Sequence, residues 1–195
     1  MSALCAGLGL NACTAIRTKY FWYLIWFLPL GGVFIWFIYH QFGKSVANGM
    51  KMVFHVGLGK NTKLPIRMVP LSVIGTWTTH LFGGSAGREG VAVQIGAAVS
   101  NNVGRLVDKT IDIENSRKMF LITGMAAGFS GLFCTPLAAI FFALEVLVAG
   151  KLEYHALIPA TVASISAAFT SRALGLRKFH INILETLNYH PSTYN

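Results

Sequence analysis

The chain has 195 residues, of which 54% are hydrophobic and only 12% charged, and its formal net charge is +9. A soluble globular domain carries about 25% charged residues, so half that load argues against a soluble core and points to lipid as the solvent. The basic excess does not indicate nucleic acid, because the Lys and Arg residues sit between apolar runs and form no continuous stripe; they behave like the flanks that set membrane topology.

In chain order, residues 3–16 form an apolar run too brief to span alone, read as the end of a helix whose start is absent and closed by Arg17 and Lys19. Phe21 to Tyr39 is then continuously apolar, with Trp22, Trp26 and Trp36 and with Pro29-Leu30-Gly31-Gly32 in its middle. At about 1.5 Å per residue it reaches about 28 Å, one hydrocarbon thickness. It is the clearest membrane helix, expected to bend at Pro29. Gln41 to Arg67 holds Lys44, Lys51, Lys60, Lys63 and Arg67 and no acid, which places it on the cytoplasmic side. Within it, Ala47 to Phe54 reads as a short helix with Asn48 as N-cap.

Met68 to Phe82 leads outward to the turn Gly83-Gly84-Ser85-Ala86-Gly87-Arg88-Glu89-Gly90, and Gly90 to Val107 leads back to a charged connection ending at Lys118. Short, glycine-interrupted hydrophobic limbs are the sequence pointer to a binding site at the membrane midplane. Phe120 to Phe133 is a helix rich in glycine and alanine, the composition that lets membrane helices pack backbone to backbone. Thr135-Pro136 breaks it and opens a helix from Leu137 to Val148, with proline in its first turn and Glu145 inside. Gly150 to His155 is a polar link, Ala156 to Leu174 a final apolar segment, and from Gly175 the chain is polar and reads as a loop. Its Arg177 and Lys178, with Arg172, run against the charge rule if this end lies outside. The fold class so read is all-α: a polytopic membrane protein with residues 1–195 as a single transmembrane domain.

Few residues carry chemistry. Cys5, Cys13 and Cys134 have no metal spacing and form no even-numbered disulfide framework; they read as small buried hydrophobes. The six histidines are scattered. Neither a nucleophile–base pair, nor a phosphate loop, nor a metal-ligand cluster is present, so no enzyme, metal or cofactor is expected. Glu89 stands out. A helix beginning near Gly90 leaves its first N–H groups unpartnered and partially positive, a ready anion site. An acid in so apolar a segment of a membrane protein is a functional hypothesis by default. Glu89 either caps the helix or pairs with Arg88, or it stands in for a transported anion and swings away when protonated. Glu145 is the second such acid, a hydrogen-bonded strut or a proton relay. Asn48 is an ordinary loop residue or an amide donor to an anion from the cytoplasmic side.

Gly87-Arg88-Glu89-Gly90 followed by Val93-Gln94-Ile95-Gly96 resembles the GREGPxVQIG signature of the CLC chloride channel and transporter family. The similarity extends through Thr123-Gly124-Met125-Ala126-Ala127-Gly128 and Pro136-Leu137-Ala138 to Glu145, covering residues 65–175 closely and 20–60 more loosely. The resemblance implies an inverted-repeat fold with short re-entrant helices, of which this chain is the N-terminal half and the second half is absent. It implies a homodimer in the lipid bilayer of a cell membrane, with one anion pathway per subunit carrying chloride or fluoride, with or without protons. The gating glutamate falls on Glu89, and the external anion site on the backbone around Arg88, Glu89, Gly90 and Val91. The family's GSGIP segment, which touches the central anion, falls on Ala47-Asn48-Gly49-Met50-Lys51. Val91 replaces the usual proline and Asn48 the usual serine, departures similar to the bacterial fluoride/proton antiporter branch. Val146 stands where many CLC exchangers carry an inner proton glutamate, which bears on proton coupling.

Overall fold

The computed structural model describes residues 13, 15–17, 19–43, 46, 48–59, 64–84, 87–107, 116–147 and 151–175. These form α1 (Phe21–Trp26), α2 (Leu28–Phe42), α3 (Met50–Gly57), α4 (Met68–Leu81), α5 (Arg88–Val107), α6 (Ser116–Phe133), α7 (Pro136–Glu145), a short 3₁₀ turn (Tyr154–Ala156) and α8 (Leu157–Ala173). No strand occurs among the described residues, so the fold is all-α. The expected run at 3–16 and the tail beyond Gly175 lie almost wholly outside the described residues.

Proline sets where four of these helices start. Pro29, Pro70, Pro136 and Pro159 each lie within the first turn of α2, α4, α7 and α8, where a missing N–H removes no helical bond. The same chemistry corrects the expected single span from Phe21 to Tyr39. Inside a continuous helix Pro29 would clash with the carbonyl four residues back. Instead the chain breaks at Phe27 (φ −87°, ψ 1°), and α2 begins afresh with proline in its first turn. Among the described residues, no helix is long and apolar enough to cross a membrane.

Two further boundaries differ from expectation. Asn48 does not cap α3: Gly49 holds that position, and no side chain bonds the helix start. The α5 helix begins at Arg88 rather than Gly90, which brings Glu89 into its first turn.

The central element is α6, packed along α5 and against α8, α7 and α3. Its contact with α5 is backbone on backbone. Gly96 faces Gly124, and Gly128 faces the Ala92 carbonyl, so closely that a Cβ on any of the three glycines would collide with main chain. Ala92, Gly96, Ser100 and Gly104 recur every four residues and so share one face of α5. Ser100 Oγ closes the seam by donating to the Phe120 carbonyl at 2.6 Å. Hydroxyls also tie α6, α7 and α8 together: Ser130 Oγ donates to Ser164 O (2.7 Å), Ser164 Oγ to Pro136 O (3.0 Å), and Ser171 Oγ to Gly131 O (2.8 Å). Such interhelical bonds take over when apolar surroundings give helices little hydrophobic reason to associate. Below them Val53, Leu64, Met68, Leu121, Ile122, Met125 and Leu144 are fully buried. Lys118 Nζ bonds Glu153 Oε1 at 2.6 Å, tying the start of α6 to the link that precedes the 3₁₀ turn.

Two apolar faces stay open. The first, on α1 and α2, presents Trp26, Leu30, Val33, Phe34, Trp36 and Phe37; the second, on α7 and α8, presents Leu137, Phe141, Ile158, Val162, Ile165 and Phe169.

Candidate functional site

After α2 the chain descends through a stack of turns: Gly43 N–H donates to Tyr39 O (2.9 Å), Val46 N–H to Gly43 O (2.8 Å) and Gly49 N–H to Val46 O (2.9 Å). Gly49 then takes φ +48° and ψ −124°, a left-handed conformation that strains any residue with a Cβ. Lys51 N–H and Met52 N–H bond back to the Asn48 and Gly49 carbonyls at 3.0 and 3.1 Å. The first amide of α3, on Met50, has no such backbone bond among the described residues.

This turn meets the start of α5 across a cavity of about 410 Å³. Its walls are Ile35 and Tyr39 of α2, Val46 and Gly49 of the turn, Ser72, Gly75, Thr76 and Thr79 of α4, and Val91 and Gln94 of α5. Ser72, Gly75, Thr76 and Thr79 share one face because their spacing is three and four residues. Among the described residues, no charged side chain lines the cavity.

The donors can be counted. Thr76 Oγ1 donates to Ser72 O (2.7 Å) and Thr79 Oγ1 to Gly75 O (2.8 Å), which commits both hydroxyl protons to their own helix. The Tyr39 ring and phenol oxygen lie against Gly75 of α4, 3.5 Å from where a Cβ there would sit. The Gln94 amide faces the Gly49 turn, its Nε2 3.5 Å from where a Cβ on Gly49 would lie. Among the described residues, an anion here would meet oriented dipoles and no full charge.

Of the residues singled out in the sequence, Gly49 and Val91 share this cavity. Asn48, next to it in the chain, is exposed. Glu89 and Gly90 lie on the exposed side of the α5 first turn and do not line the cavity. Among the described residues the Glu89 carboxylate has no hydrogen-bond or ion-pair partner, and the Arg88 side chain lies outside them. Glu145 is the last residue of α7, which ends there rather than at Val148; it is exposed, and among the described residues its carboxylate has no hydrogen-bond or ion-pair partner. Just beyond it, Glu153 N–H, from the returning link, donates to the Leu144 carbonyl at 3.3 Å. Sequence reasoning missed Tyr39, Ser72 and Gln94 as cavity residues. The repeat of hydroxyls at Ser72, Thr76 and Thr79 was the available signal.

Residues 31–194 match the family described as voltage gated chloride channel. A chloride/fluoride channel protein of Pseudomonas syringae pv. tomato is 38% identical over 180 residues, covering 92% of this chain and 39% of that protein. The H(+)/Cl(−) exchange transporter ClcA of Citrobacter koseri is 34% identical over 117 residues, 59% of this chain and 22% of that protein. The crystal structure of a CLC-type fluoride/proton antiporter matches with a TM-score of 0.85 and 46% identity, over 92% of this chain and 45% of that one. The chain thus spans less than half the length of each of these proteins, whose names are those of channels and exchangers rather than enzymes. From the match across residues 31–194 and the shared all-α fold, the chain belongs to the voltage-gated chloride channel, or CLC, family.

Proposed function

We propose that this chain contributes to CLC-type anion transport in a cell membrane, moving chloride or fluoride past a gate formed by Glu89. The observation that carries this reading is the convergence of the Gly49 turn and the first turn of α5 on one cavity with no charged lining among the described residues. Small anions bind at helix starts through N–H groups and oriented dipoles. A carboxylate in the first turn of α5 competes for the same amides. Protonation removes its charge and releases the amides to the anion, so one side chain serves as gate and as proton acceptor. With valine at position 146, a proton would reach Glu89 by another route than the usual inner glutamate.

The open apolar faces of α1–α2 and of α7–α8 support a multi-pass position in lipid and a homodimer, since patches of that kind are seldom left in water. The names of the relatives support chloride or fluoride as the cargo.

A second reading is favoured by the share of its relatives that the chain spans, 39% and 45% in two of them. In it these residues insert and fold, but conduct only together with counterparts of the relatives' remaining length. Anion efflux from liposomes carrying this chain alone separates the two. The first expects fluoride or chloride release that Glu89→Gln makes independent of pH. If release occurs and that variant leaves its pH dependence unchanged, Glu89 is a cap and not a gate. No release from intact, oriented protein supports the second reading.

A further inference from the structure

We propose that the exposed face of α1 and α2 carries an anionic phospholipid, its headgroup held by Arg17, Lys19 and the tyrosines beside them. This rests on the position in lipid proposed above and is independent of anion transport and of the Glu89 gate.

Tyr20, Tyr23, Phe27, Leu30, Phe34 and Phe37 follow one another at alternate spacings of three and four residues, which places them in one stripe. Each keeps between 49% and 74% of its surface exposed. The stripe carries on through the break at Phe27, whose N–H donates to Leu24 O (3.2 Å) and whose carbonyl accepts from Gly31 N–H (3.0 Å). At about 1.5 Å per residue it runs about 26 Å from Tyr20 to Phe37, close to the ~30 Å of a hydrocarbon layer. Its chemistry is graded along that length. Tyr20, Tyr23 and Trp26 gather at one end, Leu30 and Val33 lie in the middle, and Trp36 marks the other end. There the Trp36 ring stacks on His40 with centroids 5.0 Å apart. Rings that carry one polar atom collect at the two membrane–water boundaries, with aliphatic side chains between them.

Charge selects the kind of lipid. Arg17, half-buried, and Lys19, exposed, stand at the tyrosine end, and Lys19 Nζ lies 5.6 Å from the centroid of the Tyr20 ring. Neither has an acidic partner among the described residues. None is near in the chain either, since no Asp or Glu precedes Glu89. An anionic headgroup supplies the missing counter-charge, as basic residues beside a membrane attract acidic lipid. A second copy of this chain does not. In a two-fold dimer with its axis along the membrane normal, the same end of each face meets. Arg17 and Lys19 would then confront their own copies with no acid between them.

The test reconstitutes the whole chain in phosphatidylcholine vesicles doped with equal mole fractions of brominated phosphatidylglycerol or brominated phosphatidylcholine. Bromine quenches tryptophan fluorescence at close range, and Trp26 and Trp36 are exposed reporters on the face. Wild-type protein is expected to be quenched severalfold more effectively by the phosphatidylglycerol. Each basic residue removed should weaken that preference about fivefold, so Arg17→Gln with Lys19→Gln should bring the two lipids level. Trp26→Phe should remove most of the selective quenching, which ties it to the tyrosine end. Lys151→Gln with Arg172→Gln is the control: it removes the same charge from two exposed positions elsewhere and should keep the preference. Equal quenching of the wild type by both lipids, or a control pair that loses the preference as fully as the Arg17 and Lys19 pair, overturns the headgroup site. Quenching by neither lipid means that a protein surface, such as a second copy, covers the face, and overturns it too. A chain that fails to float with the vesicles sinks the position in lipid itself, whereas a floating chain with no lipid preference sinks only the headgroup site.

Discussion

Replacing Gly124 by alanine should be among the most damaging single-methyl changes at the described glycines. A Cβ at that position would lie 2.5 Å from Ser100 Cβ and closer still to the Gly96 carbonyl oxygen. Neither obstacle is the loose end of a side chain, so the helices themselves must move apart. Forcing an extra methyl group into a packed contact costs about 1–3 kcal/mol. Separation also stretches the 2.6 Å bond from Ser100 to Phe120 O, worth about 1 kcal/mol. The sum is about 3 kcal/mol, and at roughly 2–4 °C per kcal/mol for a chain of this size the midpoint should fall by about 6–12 °C. Gly32→Ala is the matched comparison, because nothing lies within 4 Å of a Cβ there. It should be neutral or raise the midpoint, since alanine is favoured over glycine in a helix by about 1 kcal/mol. Thermal unfolding followed by circular dichroism in detergent reads both. A Gly124→Ala midpoint equal to that of Gly32→Ala would refute the backbone seam.

Gly57→Ala should cost less than Gly124→Ala, about 1 kcal/mol, because the obstacles there are the side-chain ends of Leu147 and Leu121; the same melts rank the two. Gly49→Ala places a Cβ at φ +48° and should cost about 1–3 kcal/mol, read as a lower midpoint in the same melts. Lys118→Ala should change stability by less than about 1 kcal/mol, since the Lys118 and Glu153 side chains keep 29% and 14% of their exposure; a larger fall in midpoint would mean the bridge orders the 3₁₀ turn.

Much of this fold was legible in the residues, because punctuation here is chemical. Pro136 and the pair of small-residue runs around it marked α6 and α7. The apolar stretch ending at Leu174 marked α8, whose helix ends at Ala173. The Arg-Glu-Gly motif marked the start of α5 to within two residues. Pro29 was seen but read as a bend, although its missing N–H and its ring favour a fresh helix start over a continuous one. The end of α7 was expected at Val148 and lies at Glu145, where the Leu144 carbonyl accepts from the Glu153 amide, a partner that arrives from farther along the chain. The cavity was hidden for a similar reason. Gly49 and Gln94 meet only once α3 and α5 are folded, and no periodicity within either segment reports on a partner so distant. Among the gate candidates, the residue types were readable, while the side each one faces depended on neighbours that local pattern does not encode.

The glycine seam between α5 and α6 also limits how the α5 tip can move. Where Gly96, Gly124 and Gly128 meet main chain rather than side chains, there are few rotamers to rearrange and little slack in which one helix could slide along the other. The Ser100 bond pins the register midway along α5. Any stroke of that tip would have to carry α6, and with it the serine-tied α7 and α8; under the transport reading proposed above, opening and shutting would then fall to the swing of a single side chain in the first turn.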